Sequence, residues 1–354
     1  MNLSDQMVKG ILSTAIVIGL SLLVCVVASP DLLMGWGTLF LVAMVPAQMV
    51  VSLLWGCGYP KSIAALPQPW NGLAFLALNA AIGVVVGLIA WNTVGGGISP
   101  PTPFVNMYLI LAVAVTLWLI IPFQAWPFGT LFKNPGAMGA TLWLSAYGIA
   151  YMLFRALFNF SFLKGAPFYQ ASLDPAGLLM AWVPLIFSVA SVMVILALVL
   201  LDFWPTALLA KKFPVLAKQP FFGIANAAII ASLTALVWRS FVGAQSMDMV
   251  VFLTQVCVST VFGIFILLVM LEGVPSLALP QPWRGLVLIT TAGLLSVALF
   301  ALYRAIALNS YALSAGQPTY VLELWLASAM LAVTFPAMVI HAGYFKFWPL
   351  ARNI

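Results

Sequence analysis

Ten apolar stretches of about 20 residues follow one another along this chain of 354 residues and limit what it can fold into. A helix rises about 1.5 Å per residue, so about 20 apolar residues cross the ~30 Å hydrocarbon core of a bilayer. Turn-forming segments such as Ser29-Pro30-Asp31 and Gly95-Gly96-Gly97 separate the stretches. The sequence predicts an all-α polytopic membrane protein with ten transmembrane helices, near Gly10–Ser29, Gly35–Leu54, Asn71–Ala90, Phe104–Phe123, Gly136–Arg155, Trp182–Leu201, Phe221–Ser240, Val250–Val269, Gly285–Arg304 and Val321–Ile340.

The composition argues against most soluble functions. Only 6% of the residues are charged, against about 25% in an ordinary soluble domain. One His and three separated Cys lack the clustered ligands of zinc or haem sites, and the predicted spans hold no nucleophile–base pair. We therefore expect no enzyme, no metal and no cofactor. The net charge of +6, without a basic run away from the membrane flanks, also argues against a nucleic-acid partner.

The basic residues predict the orientation of the chain. Nine of the 13 Lys and Arg residues fall at the termini or in the loops after even-numbered helices. Basic loops are retained on the cytoplasmic side during insertion. We therefore expect an integral protein of a bacterial inner membrane with both termini in the cytoplasm.

An internal repeat runs through the chain. Leu66-Pro67-Gln68-Pro69-Trp70 recurs as Leu279-Pro280-Gln281-Pro282-Trp283, each just before an odd-numbered helix. Self-similarity at a regular period indicates a repeat architecture. Even-numbered helices end near Pro60, Pro127, Pro205, Pro275 and Pro349, at intervals of 67 to 78 residues. We predict one membrane domain, 1–354, of five tandem parallel hairpins, approximately 1–60, 61–127, 128–205, 206–275 and 276–349.

Composition separates the two helices of each predicted hairpin. The odd-numbered helices are richer in Gly, Ala, Ser, Thr and Asn than the even-numbered ones. Such residues permit close packing or line a polar cavity, whereas long aliphatic side chains suit lipid. We therefore expect the odd helices to form an inner ring around a central channel, with close packing alone as the alternative. The predicted pore-lining residues are Ser13, Thr14, Ser21, Asn79, Ser145, Asn226, Ser232, Thr234, Thr290, Thr291 and Ser296.

This arrangement of hairpins resembles, in topology, the tellurite-resistance/dicarboxylate transporter and slow anion channel family. The resemblance implies ten helices in five tandem hairpins, an inner ring of odd helices and a pore closed by an aromatic side chain. The family's gating Phe belongs in the first half of helix 9, where this chain has Thr290 and Thr291. No gate residue is therefore carried over.

The charged residues favour an anionic or neutral solute over a cation. All seven acids lie outside the odd helices, whereas Arg155, Arg239 and Arg304 end three of them on the external side. Arginines at an external mouth would attract anions. Alternatively, each of them extends to lipid phosphates.

Two functions follow from this sequence. The first is a channel or facilitated transporter for a small anionic or neutral solute, through a central path lined by odd helices. The alternative is a non-transporting membrane subunit that binds a quinone or lipid or anchors a partner complex. Membrane lipid is an expected partner in both cases, and the sequence leaves open a homo-oligomer or a partner membrane subunit.

Overall fold

The computed structural model describes residues 3–166, 168–272 and 279–350. Within them, ten helices are long and apolar enough to cross a membrane, which confirms the predicted number. They are α1 (Leu3–Val27), α2 (Pro30–Leu54), α3 (Trp70–Thr93), α4 (Pro103–Ile120), α5 (Pro135–Leu157), α6 (Trp182–Leu200), α7 (Phe221–Ala244), α8 (Met249–Met270), α9 (Trp283–Ser310) and α10 (Val321–Tyr344).

Short elements connect these helices. A parallel pair of two-residue strands, Phe158–Asn159 and Leu179–Met180, lies in the connection from α5 to α6. Short α-helices cover Lys61–Ala64, Phe128–Leu131 and Trp204–Lys212, and 3-10 turns cover Ser161–Leu163 and Pro214–Ala217. The end of the fourth predicted hairpin, at Val274-Pro275, lies outside the described residues.

The five even-numbered helices form a closed ring. Going around it, α2 packs against α4, α4 against α6, α6 against α8, α8 against α10, and α10 against α2. Two hydrogen bonds join the last pair: the Thr38 hydroxyl donates to the Ser328 hydroxyl at 2.9 Å, and Gln48 Nε2 donates to the Pro336 carbonyl at 2.9 Å. We call α2, α4, α6, α8 and α10 the inner ring.

The odd-numbered helices lie outside that ring, in the grooves between its members. Helix α3 packs against α2 and α10, α5 against α4 and α2, α9 against α8 and α6, and α1 against α10 and α8. Helix α7 packs against α6 and meets the end of α4 through Gly223, beside Phe123. We call α1, α3, α5, α7 and α9 the outer ring.

The prediction that odd helices form the inner ring is therefore wrong. In their most apolar windows, 22% to 39% of the residues of odd helices are buried, against 61% to 78% in even helices. The physical reason is that lipid tails are as apolar as Leu, so long aliphatic side chains suit the protein interior as well as they suit lipid. Small residues on the odd helices serve close contact with the inner ring instead.

Five glycines of the outer ring show this contact. Each touches a residue one to three positions beyond the end of an inner-ring helix, and a Cβ atom there would overlap it: Gly10 meets Leu271, Gly72 meets Phe345, Gly139 meets Trp55, Gly223 meets Phe123, and Gly285 meets Leu201. The pairs are α1 with α8, α3 with α10, α5 with α2, α7 with α4, and α9 with α6. Each outer helix thus contacts the inner-ring helix three positions before it, when α10 is counted as preceding α1. The same packing thus recurs five times.

The repeated Leu-Pro-Gln-Pro-Trp motif has a structural explanation in these contacts. Gln68 Nε2 donates to the Tyr344 carbonyl at 2.7 Å, and Gln281 Nε2 donates to the Leu200 carbonyl at 3.1 Å. Gln219, in the weaker copy of the motif, donates to the Pro122 carbonyl at 3.0 Å. The last carbonyls of a helix lack intrahelical partners, so each glutamine satisfies one at the end of an inner-ring helix. The motif therefore fastens the outer ring to the inner ring.

The inner-ring helices end in a shared backbone conformation. After each helix the backbone takes positive φ, first at Gly56 (54°), Gln124 (50°), Asp202 (51°), Glu272 (49°) and Lys346 (47°). At the four ends where the next residue is described, that residue has positive φ as well. Three of these ends also share a bond spanning six residues, such as the Ala125 amide donating to the Leu119 carbonyl at 2.8 Å. This is the left-handed termination that commonly closes helices. It brings four different side chains and one glycine to equivalent places at one end of the ring.

Candidate functional site

A cavity of about 420 Å³ lies between the carboxyl-terminal halves of the five inner-ring helices. Every inner-ring helix contributes to its wall, and none of the lining residues belongs to an outer-ring helix. Its lining includes Gln48 and Ser52 from α2, Leu117 from α4, Val199 from α6, Leu268 from α8 and Phe335 from α10. We call this space the large axial cavity. Its volume falls in the ordinary range of small-molecule sites.

A second cavity, of about 60 Å³, lies between the middle parts of the same five helices. Its wall is apolar and includes Val45, Ala114, Val192, Val261 and Leu331. We call it the small axial cavity. Since all five inner-ring helices line both spaces, the two cavities mark a common axis through the ring.

Three side chains separate the two axial cavities, because each of them lines both. They are Met49, Leu117 and Phe335. Phe335 also packs on Phe265, with ring centroids 3.8 Å apart and ring planes at 32°. Both rings are buried at 7% exposure. We call this apolar partition the constriction; apolar constrictions in channels gate by loss of water.

Gln48 supplies the main polar group in the wall of the large axial cavity. Its Nε2 is engaged by the Pro336 carbonyl, and its backbone carbonyl accepts a hydrogen bond from the Ser52 hydroxyl at 2.7 Å. Its Oε1 atom is buried and has no hydrogen-bond partner in the described part of the chain. A buried acceptor without a partner is costly, so a donor that reached this oxygen would gain a favourable contact.

The mouth of the large axial cavity carries charge. Glu272 lines the cavity at the end of α8. The equivalent Asp202 is engaged by the outer ring: Arg284 lies 3.0 Å away and Gln281 Nε2 donates to it at 2.9 Å. Both partners of this ion pair are partly exposed, so its net contribution to stability is below about 1 kcal/mol.

A hydrogen-bonded carboxylate lies at the opposite end of the inner ring. Asp248, just before α8, accepts from the Tyr320 hydroxyl at 2.7 Å, the Val250 amide at 2.8 Å and Gln317 Nε2 at 3.3 Å. Burial of the carboxyl opposes its ionisation, but these hydrogen bonds outweigh burial and lower the pKa of Asp248. Desolvation and the bond to Asp248 raise the pKa of Tyr320 to about 12. The start of α8 is thereby fastened to the start of α10.

The predicted pore-lining residues do not line the axial cavities. Half of them are buried between the two rings, and the others are partly or fully exposed on the outer ring. Ser13, Ser21, Asn79, Asn226, Thr234 and Ser296 are buried, Thr14 and Ser145 are half-buried, and Ser232, Thr290 and Thr291 are exposed.

Local hydrogen bonds explain how hydroxyls can lie on the outer surface of an apolar helix. Thr290 and Thr291 donate to the carbonyls of Leu286 and Val287, each at 2.9 Å. A hydroxyl that bonds its own helix needs no water-filled path. The buried amides bind between the rings instead: Asn79 Nδ2 donates to the Tyr344 hydroxyl at 2.8 Å.

The three arginines of the predicted external mouth are exposed and lie in the last turns of outer-ring helices. Arg155, Arg239 and Arg304 line neither axial cavity. Arg304 lines a separate pocket between α8, α9 and α10. These arginines therefore add no positive charge to the walls of the axial cavities.

No protein-family model, curated protein or solved structure matches this chain. The topological resemblance to the tellurite-resistance/dicarboxylate transporter and slow anion channel family therefore stays a prediction. The described residues also contain no group of three or more His, Cys, Asp or Glu side chains that could hold a metal ion.

Sequence reasoning missed the residues at the constriction because they are apolar in an apolar chain. Met49, Leu117, Phe265 and Phe335 carry no chemical signal of their own. One available signal was Pro336, next to Phe335, because proline inside a span frees backbone groups that neighbouring helices must satisfy. Gln48 Nε2 donates to the carbonyl of Pro336 itself, which also accepts from the Ile340 amide, so α10 faces α2 at this level.

Proposed function

We propose that the protein is a channel or facilitated transporter whose path is the axis of the inner ring. The observation that carries the proposal is the pair of axial cavities, each lined by all five inner-ring helices. Five helices around one axis are an arrangement that leaves a path along the membrane normal. We further propose that the inner and outer helices derive from five tandem hairpin repeats and that both termini lie in the cytoplasm, so that the large axial cavity opens there.

A small neutral solute fits this path better than an anion. The walls are mainly aliphatic and aromatic, with Gln48 and Ser52 as polar groups and Glu272 at one mouth. An ion moving into such surroundings would lose its hydration without compensating charge, which is expensive. A neutral solute loses less hydration energy, and movement of the surrounding side chains would let it donate a hydrogen bond to the buried, unpartnered Oε1 of Gln48. The anionic alternative loses support because the arginines line other surfaces.

Phe335, backed by Phe265, is the proposed gate. It lies between the two cavities together with Met49 and Leu117, so movement of its ring would join them. In α10, π-helical turns at Ser328–Thr334 and Ile340–Tyr344 flank the short α-helical segment that carries it. Such turns are frequent at functional sites.

Reconstituted vesicles test this proposal. Stopped-flow swelling measures the entry of urea and glycerol, and ion flux measures the entry of chloride and nitrate. We expect entry of the neutral solutes, and Phe335→Ala should raise their rate of entry by about tenfold or more. The matched control is Phe221→Ala, because Phe221 lies on the outer-ring helix α7 and its side chain is 51% exposed. Met49→Ala offers a smaller opening if Phe335→Ala does not fold.

The proposal fails if neither axial variant changes the permeability of any solute in the panel. Faster flux of nitrate than of urea in the Phe335→Ala variant would instead restore the anionic solute. An equal increase in the Phe221→Ala variant would show that the effect is bilayer leakage and not passage through the axis.

The second candidate is a non-transporting subunit that binds an apolar or amphiphilic molecule such as a quinone or lipid. The size and mainly apolar wall of the large axial cavity favour it. Retention of a quinone or lipid by purified protein, lost in a Gln48→Leu variant, without solute flux in any variant, would support this role. Neither candidate includes an enzymatic reaction.

A further inference from the structure

A third cavity lies away from the axis and shares no lining residue with the axial cavities. Its volume is about 320 Å³, and it lies between α8, α9 and α10 at the end of the inner ring where α8 and α10 begin. We call it the side pocket. Its polar wall contains Arg304, Glu323, Gln255 and Thr254, and its apolar wall includes Phe300 and Leu326.

Glu323 in the side pocket is buried and has few hydrogen-bond donors around its carboxylate. It is only 7% exposed, and both of its carboxylate oxygens accept from one donor, the Gly316 amide, at 3.1 Å each. A carboxylate offers about four acceptor positions, and a buried charge is stable only when it is paired. This side chain therefore has unused capacity for a positively charged donor.

Arg304 lines the same pocket from α9. No ion pair joins Arg304 to Glu323 within the part of the chain that the structure describes. Two opposite charges therefore line one cavity without touching each other. The space between them matches a molecule that carries an anionic group at one end and a protonated amine at the other.

We propose that the side pocket binds a small zwitterion with an anionic oxygen group and a primary ammonium. Arg304 binds the anionic group, since a guanidinium fork matches carboxylate and phosphate oxygens. Glu323 accepts from the ammonium, and the Gln255 amide provides a further polar contact. Phe300 and Leu326 cover an apolar substituent. The site does not depend on the proposed axial path.

Two sources carry this chemistry: a free amino acid and the ethanolamine headgroup of a membrane lipid. Leucine is the probe for the first and phosphatidylethanolamine for the second. Protein in phosphatidylcholine nanodiscs should bind leucine in calorimetry, or protein purified from mixed lipid should retain phosphatidylethanolamine over phosphatidylcholine in native mass spectrometry. Phosphatidylcholine is the matched lipid because its quaternary ammonium has no N–H to donate.

Variants of the two charges test the assignment of roles. Arg304→Gln and Glu323→Gln should each weaken binding by about tenfold to a hundredfold, because a hydrogen bond to a charged group contributes about that much. Propionate and propylamine, each with one of the two charges, should bind at least about tenfold more weakly than leucine if the amino acid is the ligand. Arg239→Gln is the matched control, since Arg239 lies in the last part of α7, in the repeat position of Arg304, and does not line the side pocket.

The proposal is overturned if neither probe binds, or if Arg239→Gln weakens binding as much as Arg304→Gln does. Propionate binding as tightly as leucine would remove Glu323 from the site and refute the zwitterion. Glu323→Gln also tests the fold, since Glu323 holds the Gly316 amide. If that variant does not fold, Arg304→Gln and Gln255→Ala decide the outcome.

Discussion

The inner and outer rings differ in what they do with the same apolar composition. Inner-ring helices bury long side chains such as Val192 and Phe262 against each other, whereas outer-ring helices expose equally apolar ones such as Leu294 and Val297, both 71% exposed. In a water-soluble protein, hydrophobicity would distinguish the buried helix faces from the exposed ones. In lipid it cannot, because the solvent and the protein interior are alike. What distinguishes the rings is the size of the residues at their contact.

The two rings also differ in backbone regularity. Helices α2, α8 and α10 of the inner ring each contain two π-helical turns, whereas α7 is the only outer-ring helix that contains one in the described residues. A π-helical turn bends a helix and changes the direction of the side chains that follow it. The side of the ring formed by α8, α10 and α2 thus carries six π-helical turns, whereas α4 and α6 opposite carry none in the described residues.

Thiol labelling gives the largest expected difference between the rings. In a background without Cys25, Cys57 and Cys257, a cysteine at Ser52 should react with a water-soluble reagent, because Ser52 lines the large axial cavity. A cysteine at Thr291, which is exposed on α9, should not react because it faces lipid. The reverse pattern would restore the odd helices as the water-accessible ring.

Glycine substitutions test the contact between the rings. A Cβ at Gly263 of α8 would overlap the Ala292 carbonyl of α9, whereas a Cβ at Gly293 meets nothing within 4 Å. Gly263→Ala should therefore destabilise the protein by about 1–3 kcal/mol, the usual cost of overpacking. Gly293→Ala should change stability by less than about 1 kcal/mol. Thermal unfolding in detergent measures both, and equal losses would contradict close packing at Gly263.

Hydroxyl deletion separates a buried bond between the rings from a bond within one helix. The hydroxyls of Tyr303 on α9 and Thr334 on α10 lie 2.7 Å apart, and Thr334 is fully buried. Thr334→Val leaves the Tyr303 hydroxyl without this partner and should cost about 1–3 kcal/mol. Thr291→Val on the outer surface should cost less than about 0.5 kcal/mol, as surface substitutions do. Similar unfolding temperatures for the two variants would show that Tyr303 finds another partner.

The smallest expected effect concerns the link between the starts of α8 and α10. Because the pKa of Asp248 is lowered in the folded protein, the stability it adds is present above its ordinary value of 3.8 and is lost as pH falls through the folded value. Tyr320→Phe should lower stability by less than about 1 kcal/mol, since both groups are partly exposed to solvent.

Unfolding temperatures across pH measure this effect. The loss in Tyr320→Phe relative to the parent should be equal at pH 7 and pH 5, because Asp248 stays ionised at both, and it should shrink only in stronger acid. A loss that already shrinks between pH 7 and pH 5 would mean that the Asp248 carboxylate is not the partner.

Sequence alone predicts the number and approximate positions of the ten helices, because proline and charged residues interrupt an otherwise apolar chain. Their ends are less well predicted: α1 begins at Leu3 and not at Gly10, and α9 continues to Ser310 and not only to Arg304. The sequence also identifies Gln68 and Gln281 as equivalent, and both bind the end of an inner-ring helix. It does not reveal which helices face the axis. Hydroxyls such as Thr291 bond their own helix, and Phe335 is one Phe among 24 in the chain, so neither polarity nor aromaticity marks the path.

The closure of the inner ring has a consequence for biosynthesis. Helix α1 precedes α8 and α10 in the chain, yet it packs in the groove between them, and the Tyr311 hydroxyl donates to the Val26 and Ala28 carbonyls at its end. That groove forms only after α8 and α10 have been synthesised. During synthesis α1 therefore lacks these neighbours, and apolar side chains that stay exposed in the finished fold, such as Leu20 and Leu23, are compatible with lipid contact throughout.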